Sequence, residues 1–276
     1  MNPGAADPFL AVEGWDDAMA QQWADVLELR ATNPSQIQLR ADLIAAARLT
    51  PGDTVVEVGC GTGITLAELA AAVGPAGRAL GFEPQPVFAR LARQRLTDRR
   101  LSQASVEIGT AEAIPLGDAT VDAAVAQTVL VHVPRAVAAL AEMRRAVRPG
   151  GMVASIDQDG DALVIDHPDK ELTRRLVAFS SDHRYADGWT GRRLPRMFRA
   201  AGLSGVTVSM RCHLETEPGG FLHEVVLRLA DSAAEMGVVS EAEWRRWTGE
   251  LAELAESGSF FASANYYLCS GVMLPT

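Results

Sequence analysis

The stretch Thr54–Gly63, TVVEVGCGTG, joins a run of buried-strand residues to a turn that contains three glycines. Glycine loses more conformational entropy on folding than other residues, so three in one turn indicate that bare backbone is needed there. In an open α/β sheet the turn after the first strand is a favoured ligand site. The glycines alone leave three reasons for the turn open: a pyrophosphate, another cofactor, or a neighbouring helix.

Strand and helix alternate on the C-terminal side of this turn. Further strands are predicted in RALGFEP, ASVEIGT, VDAAVAQ and MVASIDQ, and the helix that ends at RPGG carries the expected stop signals. This alternation is the signature of a parallel sheet with crossover helices. Later segments predict a helix over 170–180, a polar loop SSDHRYADGWTG, a sixth strand GVTVSMRCHL and a closing strand in SFFASANYYLCSGVML.

The chain is predicted to form one compact domain with three parts. Residues 1–50 form an N-terminal helical cap, because residues 15–30 and about 35–48 have apolar side chains at helical spacing. Residues 51–157 form the cofactor-binding core. Residues 158–276 complete the core and add insertions at about 158–190 and 213–259, which suit a lid over a substrate.

Charge and composition exclude several classes of partner. The 276 residues carry a net charge of −10 without a basic run, which argues against binding to nucleic acid or to an anionic membrane surface. The most apolar stretch, 119–140, contains Asp122, His132 and Arg135, which argues against a membrane span. The N-terminus lacks the pattern of a signal peptide, so we expect a cytoplasmic protein.

Cysteine and lysine usage adds two expectations. The three cysteines have neither the number nor the spacing of a disulfide framework or a zinc site, and no other metal-ligand motif occurs, so no metal is expected. Lys170 is the only lysine among 25 basic residues, a bias that indicates a GC-rich bacterial genome. The sequence leaves open whether the chain forms a homodimer.

Glu83 is the second feature that points to a nucleoside cofactor. It ends the predicted second strand, 24 residues after Gly59, where a carboxylate can accept hydrogen bonds from both ribose hydroxyls. The alternative is a solvated loop acid before Pro84. Gly59, Gly61 and Gly63 have the spacing G-x-G-x-G, which departs from the G-x-G-x-x-G fingerprint of dinucleotide sites.

Together these segments resemble the class I S-adenosylmethionine-dependent methyltransferases. VVEVGCGTG is similar to the first motif of this family, and GFEP to its ribose-binding acid. GTAEAIPLGDATVDAAVAQTVLVHV resembles the region from the adenine loop through the fourth strand, and MRRAVRPGGMV the turn into the fifth. The resemblance covers about residues 40–157 and the last strand, and it is closest to the branch of ubiquinone- and menaquinone-type and natural-product methyltransferases.

The resemblance implies an α/β fold with a Rossmann-like, seven-stranded, mostly parallel sheet whose last strand is antiparallel, with an N-terminal helical cap and helical lid insertions. It also implies S-adenosyl-L-methionine as the cofactor and S-adenosyl-L-homocysteine as the product. The residues that it assigns to the cofactor are Glu57, Gly59, Cys60, Gly61, Glu83, Pro84, Thr110, Ala111, Glu112 and Gln127.

Within this set, the resemblance places Glu57, Gly59 and Gly61 along the methionine and ribose, and Gln127 beside the methionine. Glu83 would hold the ribose, with Phe82 or Pro84 beside the adenine, and Ala111 would offer its backbone to the adenine edge. One position departs from the family, which often has GDA where this chain has GTA. Thr110 can accept from the adenine amino group but carries no charge, and Glu112 is the alternative.

Three residues are candidates for catalysis. His132, in VLVHVP, occupies a place where a histidine is catalytic in some small-molecule methyltransferases and caps a helix in many others. Asp157 ends the fifth strand on the expected substrate side, and the alternative for it is a solvated turn. His183 lies in the polar loop before GWTG and is expected in the lid. Arg30 is a candidate for the cofactor carboxylate, with a helix-end charge as the alternative.

The predicted function is methyl transfer to a small-molecule acceptor at O, N or C in natural-product biosynthesis. Aromatic residues in the insertions favour an apolar or ring-containing acceptor. A second hypothesis keeps the cofactor but has the enzyme promote a cyclisation or rearrangement. An NAD-dependent oxidoreductase is disfavoured, because the glycine spacing fails and no Tyr-x-x-x-Lys pair exists: residue 166 is Asp.

Overall fold

A computed structural model describes residues 8–274, and its centre is a mostly parallel β-sheet. The strands run in the order β3-β2-β1-β4-β5-β8, with β6 and β7 also paired to β8. This confirms the predicted Rossmann-like fold. The strands are β1 Thr54–Val58, β2 Arg78–Phe82, β3 Ala104–Glu107, β4 Val121–Gln127, β5 Val147–Gln158, β6 Val164–Ile165, β7 Ser204–Glu215 and β8 Ala262–Val272.

Helices cover both faces of this sheet and precede it. Two apolar clusters of buried residues fill the two sides, one around Leu66 and Trp247 and the other around Leu140 and Phe198. The helices are α1 Asp17–Thr32, α2 Pro34–Ala46, α3 Ile64–Val73, α4 Pro86–Asp98, α5 Ala136–Ala146, α6 Lys170–His183, α7 Thr190–Ala200, α8 Phe221–Glu235 and α9 Glu241–Glu256. None of those within residues 8–274 combines the length and apolar character that a bilayer span requires.

The parallel register brings the ends of the central strands to one edge. Strand β1 lies between β2 and β4, and its residue Val58 is paired with Phe82 on one side and with Ala126 on the other. The residues that follow these three strands therefore converge, as expected for a ligand crevice at the carboxyl ends of a parallel sheet.

The other end of the sheet is antiparallel. Strand β8 runs between β5 and β7 and is antiparallel to both, with Asp157 opposite Tyr267 and Met210 opposite the same tyrosine. The predicted antiparallel last strand is therefore present. The two-residue strand β6 also pairs with β8 and is absent from the sequence prediction.

Two predicted boundaries differ from the structure. The RPGG turn lies within the range of β5 as a bulge, since the register jumps from Val121–Val147 to Ala123–Met152. Helix α6 extends to His183, so the first four residues of the predicted polar loop are helical. Leu176, Phe179 and Ser180 are buried on one face of α6, and this packing outweighs the polar character of SSDH.

Candidate cofactor and acceptor site

The glycines of the turn after β1 all have positive φ, but they meet different neighbours. A Cβ at Gly59 would lie 2.5 Å from Val129 Cγ2, and one at Gly63 would lie 2.8 Å from Ala92 Cβ on helix α4. A Cβ at Gly61 would approach only Leu27 Cδ1, at 3.8 Å, and would otherwise project into open space. Packing therefore explains two of the glycines, whereas Gly61 leaves room for a ligand.

Glu83 connects the end of β2 to this turn. Its Oε2 accepts a hydrogen bond from the backbone N–H of Gly61 at 2.8 Å, and its Oε1 accepts from the backbone N–H of Gln85 at 2.9 Å. The residue is only 4% exposed, and burial raises the pKa of its carboxyl to about 7 against the effect of these two donors. Each oxygen has a second lone pair, so the carboxylate can accept further hydrogen bonds from a diol.

The turn and Glu83 line a cavity of about 420 Å³ at the carboxyl ends of β1, β2 and β4. This volume falls in the range of small-molecule and cofactor sites. All ten residues that the sequence assigned to the cofactor line it: Glu57, Gly59, Cys60, Gly61, Glu83, Pro84, Thr110, Ala111, Glu112 and Gln127. Pro84 is on the lining and Phe82 is not, because the Phe82 ring is buried in the core.

Glu57 is buried at the floor of the cavity with an unsatisfied oxygen. Its Oε2 has no hydrogen-bond partner among the described residues, although it belongs to a side chain only 2% exposed. Burial, with a contribution from the nearby charge of Glu83, raises the pKa of this carboxyl well above its usual value. A buried acceptor of this kind favours a cationic donor from a ligand.

Polar contacts fix two other parts of the lining. Thr65 Oγ1 donates to Gln127 Oε1 at 2.7 Å, which orients the amide at the end of β4. In the loop after β3, Glu112 accepts from Arg135 Nε at 3.0 Å. Thr110 is exposed, and its side chain has no such partner among the described residues. Both alternatives for the adenine contact, Thr110 and Glu112, therefore lie on the lining, and Glu112 is the one already paired.

Of the three catalytic candidates, the structure brings only His132 to the cavity. Its ring lies 4.6 Å from Phe9 and 5.7 Å from Tyr185, centroid to centroid, and both neighbours also line the cavity. Tyr185 comes from the loop after α6, so a tyrosine reaches His132 although the N-terminal helices contain none.

Asp157, expected on the substrate side, and His183, expected in the lid, do not line the cavity. Asp157 is fully buried within β5, which continues to Gln158 and pairs edge to edge with β8. Its carboxylate accepts from the backbone N–H of Val131 at 3.1 Å and from Ser155 Oγ at 2.8 Å, and burial raises its pKa to about 7. His183 is exposed at the end of α6, 5.4 Å from the Phe179 ring.

Arg30 of helix α1 and Thr128, which follows β4, both line the cavity. Arg30 Nη1 donates to Thr128 Oγ1 at 2.9 Å, and its guanidinium lies 5.7 Å from the ring centroid of Phe221 on α8. Burial lowers the pKa of Arg30. Thr128 has φ of +54°, a conformation uncommon for a β-branched residue. Sequence reasoning missed Thr128, because its residue type gives no signal of a left-handed backbone.

The chain is similar to several known proteins. A family profile described as a methyltransferase domain matches residues 55–151. An uncharacterized 37.1 kDa protein of transposon Tn4556 from Streptomyces fradiae is 32% identical over 243 residues, which are 88% of this chain and 69% of that protein. O-methyltransferase cnsE of Penicillium expansum is 28% identical over 247 residues, 85% of this chain and 83% of its own length.

A solved structure shows the same fold. Geranyl diphosphate C-methyltransferase from Streptomyces coelicolor A3(2), in complex with Mg²⁺, geranyl diphosphate and S-adenosyl-L-homocysteine, has a TM-score of 0.56 and 16% sequence identity, covering 87% of this chain and 79% of that one. At this identity the likeness shows the fold. The methyltransferase profile and the relatives give the class: the chain belongs to the class I S-adenosylmethionine-dependent methyltransferases. It is an enzyme of that class, and its cofactor is S-adenosylmethionine.

The residues present fit this cofactor. Gly61 leaves an open cradle in which a Cβ would intrude, Glu83 offers two acceptor oxygens next to it, and Glu57 has a buried oxygen without a partner among residues 8–274. A diol, a cationic amine and close backbone approach are what a nucleoside bearing an amino acid would bring to these groups.

Proposed function

We propose that the enzyme methylates a small apolar or ring-containing molecule at O, N or C, in natural-product biosynthesis. The observation that carries this proposal is the aromatic wall of the cavity outside the cofactor residues, formed by Phe9, Trp23, Tyr185 and Phe221. Flat apolar groups bind well against such walls, and aromatic side chains contribute large contact areas. Two similar proteins support it: the Penicillium expansum relative is named an O-methyltransferase, and the solved C-methyltransferase is bound to a small molecule, geranyl diphosphate.

Within the cofactor portion of the cavity, each side chain has one proposed task. Glu83 accepts from the ribose hydroxyls, and Glu57 faces the amino group of the methionine. Arg30 binds its carboxylate, since the guanidinium lies at the cavity and retains donors beyond the Thr128 bond. Gln127, held by Thr65, flanks the methionine, and the loop Thr110–Glu112 lies along the adenine.

When bound, the cofactor would supply a methyl group on a positively charged sulfur; in-line attack of the acceptor on that carbon would break the carbon–sulfur bond and release the thioether S-adenosylhomocysteine. The protein must therefore align the acceptor, exclude water and take up a proton when the acceptor is a hydroxyl or amine. His132 is the proposed general base, because it is the catalytic candidate that lines the cavity, next to the aromatic wall. Tyr185 and Phe9 on either side of it restrict how a ring can approach.

Incubation with S-adenosylmethionine labelled in the methyl group, against a pool of phenols, amines, carboxylic acids and prenyl compounds, tests this proposal. Label in a small aromatic or apolar product supports it. Label only in protein or nucleic acid contradicts it. Binding of the cofactor with conversion of an acceptor but no transfer of label identifies the alternative, a cyclase or rearrangement enzyme that uses the same pocket.

A further inference from the structure

Strand β7 is an open edge of the sheet. It runs for twelve residues, Ser204–Glu215, and among residues 8–274 only β8 pairs with it, from Thr207–Ser270 to Glu215–Ala262. The side of β7 away from β8 therefore presents a row of backbone donors and acceptors that another strand can pair with.

The two faces of β7 have the opposite polarity to that of an ordinary surface strand. Thr207, Arg211 and His213 point to the face that carries α2, where they bond Ser270, Asp42 and Gln36. The alternate residues are apolar and lie on the other face, as the two-residue period of a strand requires; the first packs partly against the core and the other four are exposed. They are Val206, Val208, Met210, Cys212 and Leu214, which we call the β7 stripe.

From Val208 to Leu214 the β7 stripe is strongly exposed in the single chain. Val208, Met210 and Leu214 are 53%, 51% and 48% exposed, and Cys212 is exposed as well. Single exposed apolar residues are ordinary on protein surfaces, but a row of them along an edge strand marks an interaction surface or an aggregation site.

The strand lacks the features with which edge strands are usually kept apart. Residues 206–214 contain no proline, no lysine, no aspartate and no glutamate, and Arg211 is their one arginine. Arg211 forms an ion pair with Asp42 of helix α2, so its charge is neutralised within the chain. Glu215, at the end of β7, is likewise paired with His213, so no unpaired charge on the strand opposes the approach of a second, identical strand.

We propose that two copies of this chain associate through β7, by antiparallel pairing about a two-fold axis perpendicular to the sheet at Met210. In such a pair, residues directly opposite each other lie on the same face, so the two stripes become neighbours on one face of a continuous sheet. The self-complementary arrangement satisfies the open backbone groups and covers the apolar side chains in one contact. A different protein would need its own apolar edge strand to do the same, whereas a second copy always has one.

The test is the mass of the full chain in solution, measured by sedimentation velocity over a micromolar concentration series. The expected result is twice the mass of the chain. Met210→Glu places a charge at the two-fold axis and is expected to give a monomer, and Val208→Glu is expected to do the same. Met236→Glu is the matched control, because Met236 is 41% exposed but follows helix α8, away from β7.

Far-UV circular dichroism and affinity for S-adenosylhomocysteine show that each variant remains folded, since none of these residues lines the cavity. A wild-type monomer throughout the series overturns the proposal. So does a dimer that persists in folded Met210→Glu and Val208→Glu, because that dimer uses another surface. Loss of the dimer in Met236→Glu as well would point to a general effect of charge and would also overturn it.

Discussion

The Glu83 carboxylate accepts a hydrogen bond from the backbone N–H of Gly61 at 2.8 Å, and this contact joins the end of β2 to the turn after β1. Because Gly61 has φ of +53° and no side chain, the carboxylate and the turn meet beside open space. One contact therefore fixes both groups that are proposed to meet the ribose and the methionine of the cofactor.

Replacing Glu83 by alanine is expected to weaken the binding of S-adenosylmethionine by more than about tenfold, because charge-assisted hydrogen bonds to the ribose are lost. Isothermal titration calorimetry measures this. Glu107→Ala is the control, since Glu107 ends the neighbouring strand β3 and does not line the cavity. Equal affinities of Glu83→Ala and the wild type would place the ribose elsewhere.

Alanine substitutions in the turn are expected to separate binding from stability. An alanine with positive φ costs about 1–2 kcal/mol at either Gly61 or Gly63. At Gly63 the new Cβ also overlaps Ala92 at 2.8 Å, so this variant should have the larger fall in melting temperature. At Gly61 the Cβ enters the cavity, so this variant should bind S-adenosylhomocysteine more weakly than its loss of stability explains. The reverse order of the two melting temperatures would contradict the account.

Cofactor affinity is expected to depend on pH through Glu83, whose pKa is raised by burial from 4.5 to about 7. Between pH 4.5 and about 7 the folded apoprotein keeps the Glu83 proton, whereas the unfolded chain has released it. The contribution of this group to the stability of the apoprotein is therefore fully present below pH 4.5 and is lost as the pH rises through 7. Ribose hydroxyls bind the ionised form better. Affinity should therefore rise about tenfold from pH 6 to pH 8, given one ionisation near 7.

Calorimetric titrations at several pH values in Glu83→Gln provide the comparison, because this variant keeps the shape of the side chain without the ionisation. We expect its affinity to change less over the same interval than that of the wild type. Parallel pH profiles of the two proteins would show that another group controls binding.

Replacing His132 by glutamine is expected to lower kcat by about 10²- to 10⁴-fold if the acceptor is a hydroxyl or amine, the range typical of a lost general base. The dissociation constant of S-adenosylmethionine should change little. His183→Gln is the matched control, since His183 is exposed and does not line the cavity. Full activity of His132→Gln on the identified acceptor would show that the histidine is not a general base and would favour the alternative, a histidine that caps a helix.

Glu215 is expected to affect acceptor binding indirectly, by holding the first turn of helix α8 in place. Its Oε1 contacts Nε2 of the buried His213 at 2.8 Å, and its Oε2 accepts from the backbone N–H of Leu222 at 2.8 Å in the first turn of α8. A Cβ at Gly220 would lie 2.3 Å from that oxygen, so the glycine permits the contact. Phe221, the next residue, belongs to the aromatic wall.

Glu215→Gln should therefore raise the KM for the acceptor several-fold while the cofactor dissociation constant stays near that of the wild type. Steady-state kinetics with the identified acceptor measure this, and Glu217→Gln, at an exposed position two residues on, is the control. An unchanged KM, or equal losses in acceptor and cofactor binding, would separate Glu215 from the acceptor wall.

The cofactor half of the site could be predicted from the sequence because it depends on local order along the chain. Glu57 lies in β1, and Gly61 and Glu83 come shortly after β1 and β2; the register of the parallel strands brings such residues to one edge. The resemblance to the family, through the spacing of its motifs, then indicated the lining residues that lie at or after the ends of β3 and β4.

The acceptor half depends on contacts between distant segments, which residue type and spacing do not encode. Tyr185 reaches His132 from the loop after α6, and Phe221 reaches Arg30 from α8. Asp157 was expected at a ligand-facing strand end, but it is buried within β5, where its carboxylate accepts from Val131 and Ser155. These positions follow from how the insertions pack on the sheet.

The most direct test of the central claim is a crystal structure of the complex with S-adenosylhomocysteine. The account predicts both ribose hydroxyls within about 2.6–3.2 Å of the Glu83 carboxylate oxygens, with the methionine portion against Gly61 and Glu57. A ribose bound away from Glu83, or a methionine portion that does not touch the turn after β1, would contradict it.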